Sequence, residues 1–249
     1  MLQAPSIQWF PGHMAKTRRL MRECLPLVDV VVELRDARIP KSSRNPELSR
    51  LIGKKPRVVL LNKADEADEK ATKAWLEDMK KRGMVALATD CKSGKGLGQF
   101  VPAVRSVMKG ELERRAAKGM ASRPIRIMIV GIPNAGKSSL INRLAKSKRA
   151  KVEDRPGVTR GKQWVKLDSG LELLDMPGVL WPKFDDPLVG EHLAFTGAIK
   201  DDILDLELLA MRLLGLLRER YAPLLQERYH LDPQEVAELE EPALLELVA

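Results

Sequence analysis

Apolar positions along this chain follow two periods, and the alternation between them outlines the fold. From Met14 to Leu25 the spacing predicts a helix: Leu20, Met21, Cys24 and Leu25 share one side, and Lys16, Arg18, Arg19 and Arg22 lie elsewhere. Val28–Leu34 (VDVVVEL) is β-branched and reads as a strand, as does Arg57–Leu61 (RVVLL), which ends at Asn62. A helix over Lys70–Arg82, closed by Gly83, leads to a short strand over Met84–Thr89. A helix over Leu97–Lys109 and a charged connector over Glu111–Arg123 come next. Ile125–Val130 is a strand and Lys137–Leu144 a helix. Gln163–Leu167 and Leu171–Leu174 form a hairpin around Ser169-Gly170. Strands that alternate with helices predict an α/β domain with a mostly parallel sheet and helices on both faces. After Pro187 the spacing turns helical, through Leu204–Leu217 and again over Glu235–Val248. The predicted organisation is an α/β domain over residues 1–184, N-terminal helix included, and a small all-α domain over 185–249.

Composition narrows the class. The 249 residues are 44% hydrophobic and 31% charged, enough for an ordinary core. No apolar run approaches the roughly 18 residues that span a bilayer. The N-terminus lacks the basic and apolar regions of a signal peptide. Cys24 and Cys91 are far apart and outside any zinc spacing. A cytoplasmic protein without a disulfide framework is expected. Net charge is +9 and uneven. Residues 1–110 hold 22 Lys/Arg against 12 Asp/Glu, and residues 111–167 hold 15 against 4. Residues 185–249 reverse the balance, 5 against 15. Such a basic field suits nucleic acid or another polyanion. The alternative is a solvated surface whose only anionic ligand is a nucleotide.

Two motifs carry chemistry. Gly131-Ile-Pro-Asn-Ala-Gly-Lys-Ser138 fits G-x-x-x-x-G-K-S/T, after a predicted strand and at the start of a predicted helix. Glycines admit phosphate oxygens to the backbone N–H groups, and the helix N-terminus adds positive potential. Asn134, Ala135, Gly136, Lys137, Ser138 and Ser139 are expected to line the phosphates. Lys137 would reach the β- and γ-phosphates, and the Ser138 hydroxyl would ligate Mg²⁺. Asp175-Met-Pro-Gly178 ends a hydrophobic strand 38 residues after Lys137. Asp175 would hold Mg²⁺ through water, and the Gly178 N–H would sense the γ-phosphate. Thr159, in a loop between these motifs, is the candidate second protein ligand for Mg²⁺ and closes a switch when GTP is present.

Asn62-Lys-Ala-Asp65 follows the RVVLL strand. The Asp65 carboxylate can accept from both N1–H and the 2-amino group of guanine, a pair that adenine lacks. Such a mismatch is worth about 10⁴-fold in discrimination. Asn62 would contact the other edge of the base and Lys63 would lie along it. Asp90-Cys91-Lys-Ser-Gly94 offers backbone N–H groups to the guanine oxygen, with Cys91 a small neutral residue rather than a nucleophile. Here the base motifs precede the phosphate motifs. A sheet tolerates that order if old termini are joined and new ones opened at the surface. The predicted fold is a circularly permuted P-loop GTPase domain.

With that order, the chain resembles the YlqF/RbgA family, ribosome biogenesis GTPase A, from Trp9 to about Leu217. The resemblance rests on WFPGHMAK, VVELRDARIP, NKAD, GIPNAGKSSLIN, PGVTRGKQW, DMPGVLWP and FTGAIKDDILD. It implies a GTPase that acts late in large-subunit assembly through rRNA, with a C-terminal helical RNA-binding domain. The family lacks the glutamine that orients water in Ras-like proteins, and Val179 stands there. It points to His13 as a candidate catalytic group beside Lys137 and Thr159. Asn134 matches an asparagine of potassium-dependent GTPases, where K⁺ adds positive charge in the transition state. The family's C-terminal domain usually continues as a basic stretch past the point where this chain stops. Here the tail is acidic, so either the chain is truncated or its RNA contacts come mainly from the basic GTPase domain. A monomer that binds GTP and GDP, hydrolyses GTP slowly alone and faster on the large subunit is expected. Rival readings are a GTP-dependent scaffold with negligible hydrolysis and a GTPase acting on another RNA such as tRNA.

Overall fold

The first helix, α1 (Gly12–Cys24), buries Met14, Thr17, Met21 and Cys24 along one side. This computed structural model describes residues 7–146, 151–153 and 164–249. β1 (Val30–Asp36) follows, with all seven residues buried, as a strand covered on both faces must be. Its Glu33 and Arg35 share a face and pair at 2.8 and 3.0 Å, which keeps both charges compensated in the interior. α2 (Pro46–Ile52) has proline in its first turn and the Asn45 side chain as its cap. The pattern then continues through β2 (Arg57–Asn62), α3 (Glu69–Lys81), β3 (Val85–Thr89), α4 (Phe100–Val107) and α5 (Lys109–Ala117). β4 (Ile125–Gly131), α6 (Lys137–Lys146), β5 (Lys151–Glu153), β6 (Trp164–Leu167) and β7 (Leu171–Asp175) complete the sheet.

Strand order is β3-β2-β1-β4-β7-β6-β5. The five strands from β3 to β7 pair in parallel; β6 and β5 add on antiparallel. The β6–β7 hairpin turns at Ser169-Gly170, as the sequence predicts. Register aligns the carboxyl ends of the parallel strands: Asp36 lies opposite Asn62, Asn62 opposite Thr89, Leu34 opposite Gly131 and Ile129 opposite Asp175. Loops leaving those ends share one edge, where ligands of open α/β sheets bind. β4, which leads into the G-x-x-x-x-G-K-S loop, is central in the sheet yet follows β2, which leads into the N-K-x-D turn, in the chain. This is the circularly permuted topology.

One expected element differs. Glu111–Arg123 reads as a charged connector, but its first half is helical, within α5. No apolar stripe announces that helix. Arg115 instead buries itself against Asp29 at 2.6 Å and against Glu111, four residues earlier, at 3.1 Å.

The chain divides into two compact units. Residues 9–183 form the α/β unit; among described residues, Ile7 and Gln8 group with 184–249. In the second unit the Gln8 side chain donates to the Phe184 carbonyl and accepts its N–H, at 3.1 and 2.9 Å. Its helices are α7 (Pro187–Phe195), α8 (Leu206–Tyr229), α9 (Pro233–Glu238) and α10 (Glu241–Val248). α8 runs past the predicted end and kinks at Tyr221, two residues before Pro223, whose ring cannot fit the preceding turn. Leu214, Leu225, Val236 and Leu244 form its core. No helix among the described residues is long and apolar enough to cross a membrane.

Candidate nucleotide-binding site

The phosphate loop turns out of β4 through Asn134, whose backbone is left-handed at φ 57°, a conformation asparagine tolerates better than most residues. Gly136 follows at φ 96°, and a Cβ there would stand 2.2 Å from the Asn62 amide nitrogen. Glycine is therefore required twice over, by conformation and by contact. Ala135 is fully buried, while Asn134 and Ser138 are exposed at the loop.

Lys137 begins α6 and folds back over the loop. Its ammonium donates to the Ile132 carbonyl at 2.8 Å and to the Gly131 carbonyl at 3.4 Å. Burial pushes its pKa down to about 8, against the pull of Asp175. Burial also raises the Asp175 carboxyl, against Lys137 and the Met176 N–H. Desolvation outweighs the mutual attraction of this pair, so each has electrostatic energy to gain from added counter-charge. Phosphate oxygens would supply it to Lys137, and a cation to Asp175.

Gly178 closes on the same loop. A Cβ there would sit 2.7 Å from the Pro133 Cα and 3.1 Å from the Lys137 Nζ. The next N–H, from Val179, donates to the Gly131 carbonyl at 3.2 Å, and the Val179 side chain is buried. An aliphatic side chain held there cannot orient an attacking water.

The base loops meet this site through Asn62, which is buried at the end of β2. Its amide nitrogen donates to the Ala135 carbonyl at 2.8 Å, and its oxygen accepts the Cys91 N–H at 2.9 Å. Lys63 follows with a left-handed backbone, φ 61°, and pairs with Asp36 at 3.2 Å. Asp65 is exposed on the turn Ala64–Glu66. Asp90 organises its own loop, its carboxylate accepting the Lys92 N–H at 2.7 Å and the Ser93 N–H at 3.1 Å. Its pKa is lowered by hydrogen bonding, first to the Ser93 side chain. Burial raises the Cys91 thiol to about 11, so it stays protonated and inert at neutral pH.

Three residues emerge only in the structure. Asp36, at the end of β1, accepts the Arg38 N–H and guanidinium at 3.0, 2.9 and 2.7 Å and holds Lys63 as well. Arg38 also reaches Glu66 at 3.0 Å. Arg143 on α6 lies so close to Gly94 that a Cβ there would meet its Nε at 2.7 Å. The VVELRDARIP run contained the signal for Asp36, an acidic residue at a strand end with Arg two positions on; Arg143 had none. His13 lies exposed in the first turn of α1, its ring edge-on to Trp9 at 6.3 Å. Thr159 lies outside the described residues.

An N-K-x-D turn, then a phosphate loop, then a D-x-x-G strand end, in that chain order and on one sheet edge, define a circularly permuted P-loop GTPase. Residues 126–240 match the family model described as MMR_HSR1, 50S ribosome-binding GTPase. The ribosome biogenesis GTPase A of Bacillus licheniformis is 54% identical over 235 residues, covering 94% of this chain and 83% of that protein. The GDP-bound structure of TM YlqF superposes with TM-score 0.59 at 26% identity, covering 92% of each chain. GNP-bound YlqF from T. maritima gives 0.58 at 26% identity, over 93% of this chain and 91% of that one. The chain belongs to the ribosome biogenesis GTPase A family.

Proposed function

We propose that this protein binds and hydrolyses GTP to assist late assembly of the large ribosomal subunit through rRNA contact. The observation that carries the nucleotide half is the Asn62 bridge, which joins phosphate and base loops into one site. The ribosomal half is supported by the names of the relatives and by the basic charge of residues 1–167.

In this reading Lys137 swings its ammonium from the Ile132 carbonyl to the β- and γ-phosphates. Asn134 to Ser139 surround the phosphates with N–H donors, and the Gly178 N–H meets the γ-phosphate. Asp65 reads guanine, Lys63 lies along the base and the Asp90–Cys91 loop presents its N–H groups to the guanine oxygen. Ser138, exposed at the start of α6, suits Mg²⁺ as a direct ligand, Thr159 as the second protein ligand, and Asp175, half-buried with a raised carboxyl, through water. The metal would neutralise charge on the phosphates. Asn134, with its exposed side chain, is the residue that would present an oxygen to K⁺. His13 and the incoming RNA supply what Val179 cannot, so turnover is slow until rRNA arrives. The protein acts as a cytoplasmic monomer.

Co-sedimentation tests the ribosomal half. The chain should pellet with large but not small subunits, more with a non-hydrolysable GTP analogue than with GDP. Equal pelleting with both subunits, or with tRNA complexes, would replace this reading with action on another RNA.

The buried aliphatic Val179 favours one second reading, a GTP-dependent scaffold that docks without productive hydrolysis. Binding to the subunit without any stimulated turnover would establish it.

A further inference from the structure

α1 presents a second face that the nucleotide site does not use. Met14, Thr17, Met21 and Cys24 fill one side of the helix. Ala15, Arg18, Arg19 and Arg22 form a separate stripe at helical spacing and line an open groove of about 240 Å³. Ala15 makes its floor low, and the arginines make its walls. Arg18 is anchored by Glu47 at 3.1 Å, which fixes the groove against α2. Arg19 and Arg22 are exposed and lie one turn apart, a separation comparable with that of successive phosphates on one strand.

We infer that this arginine groove on α1 is a docking site for the phosphodiester backbone of RNA. The inference rests on the proposed ribosomal function for the RNA's identity, not for its chemistry. Planar guanidinium forks match phosphate oxygens in pairs, and they read no base, so the groove grips rather than selects. A membrane surface fits poorly. An interfacial helix needs an exposed apolar face, and the apolar face of α1 is buried in its own domain. Carboxylates of an acidic peptide also pair with guanidinium forks, so polyglutamate is one arm of the test.

The groove begins two residues after His13 and belongs to the same helix. RNA held there therefore fixes the helix that carries His13. Backbone docking on Arg18, Arg19 and Arg22 would couple RNA arrival to the orientation of that histidine.

The test measures RNA affinity by fluorescence anisotropy over a series of KCl concentrations. Wild type is compared with the R19A/R22A and R19K/R22K variants of the full chain; Arg18 is left to keep its bond with Glu47. Probes are a large-subunit rRNA fragment, an unrelated duplex RNA, inorganic phosphate, polyglutamate and phosphatidylserine vesicles. Circular dichroism melting checks that α1 still folds. The slope of log affinity against log salt should become shallower by about 2 in R19A/R22A, with binding weakened on the order of tenfold or more for both RNAs. R19K/R22K should restore the slope but only part of the affinity. Unchanged slope and affinity in a folded R19A/R22A would overturn the inference. So would complete displacement of RNA by millimolar inorganic phosphate, or a defect seen only with polyglutamate or vesicles. Equal loss on both RNAs with no wild-type preference for the ribosomal fragment would uphold the groove and count against the ribosomal reading alone.

Discussion

The side chain of Asn62 donates to the backbone carbonyl of Ala135 at 2.8 Å, across 73 residues of chain. Its oxygen simultaneously accepts the Cys91 N–H. One buried amide thus sets the distance between phosphate loop and base loops. Asn62→Ala leaves the Ala135 carbonyl and the Cys91 N–H without their partner in the interior. Each such group costs about 1–3 kcal/mol. The variant should melt several degrees lower and bind fluorescent GDP at least tenfold more weakly, mainly through faster release. Retained affinity with a lowered melting point would show the bridge to be structural only.

Asp36 acts one shell further out, holding both Arg38 and Lys63. Burial opposes its charge, yet Arg38 and then Lys63 keep its carboxyl below the usual carboxylate range. A lowered folded-state pKa means that this contribution is complete above the ordinary carboxylate pKa and is lost as pH falls through the folded value. Asp36→Asn should therefore cost about 1.5–3 kcal/mol at neutral pH, the worth of a charged hydrogen bond, and progressively less in acid. Urea unfolding of both proteins from pH 7 to pH 3 checks this, and a gap that stays constant would refute it.

Lys137 gives a second pH signature. Its folded-state pKa lies near 8, below the usual lysine value, because burial disfavours the ammonium. In the nucleotide-free protein that penalty is present in full below pH 8 and is relieved between pH 8 and the unfolded value. Relative to Lys137→Met, the wild-type chain should gain stability as pH rises through this window. Nucleotide affinity should do the opposite. It should hold steady below pH 8 and weaken by up to about tenfold per pH unit above it, since binding must then take up a proton. Titration with fluorescent GDP from pH 6.5 to 9.5 reads the break directly; a flat profile would mean that Lys137 keeps its proton throughout.

On the proposed function, base selection falls on Asp65. Asp65→Asn replaces a double acceptor with a side chain that can donate to the 2-oxo group of xanthine. The variant should lose on the order of 10³–10⁴ in affinity for GTP and recover binding with xanthosine triphosphate. Competition between the two nucleotides measures the switch. An unchanged preference for guanine would place recognition elsewhere on the edge.

Much of this was legible before any coordinates. The runs VDVVVEL, RVVLL and IRIMIV are too apolar and β-branched to be anything but interior strands. The loops that follow them carry motifs whose spacing presupposes a common edge. Motif order alone revealed the permutation. What stayed hidden depended on contacts between distant segments. α5 has no apolar stripe because Arg115 is buried by pairing with Asp29, 86 residues away. The N-K-x-D motif marks Asn62 as a base contact, and only the fold shows it reaching Ala135. The Asp36–Lys63 pair was invisible because neither residue signals the other along the chain. The continuation of α8 through Pro223 has no signal in the sequence, because proline argues for an end, and here the helix bends instead.

On the proposed function, RNA supplies what Val179 cannot. GTP turnover in KCl is measured with and without purified large subunits. Intrinsic hydrolysis should be slow, large subunits should accelerate it strongly, and small subunits or tRNA should not. His13→Ala should lose the acceleration while still binding GTP and the subunit. Rapid hydrolysis by the free protein, indifferent to every RNA added, would contradict that function.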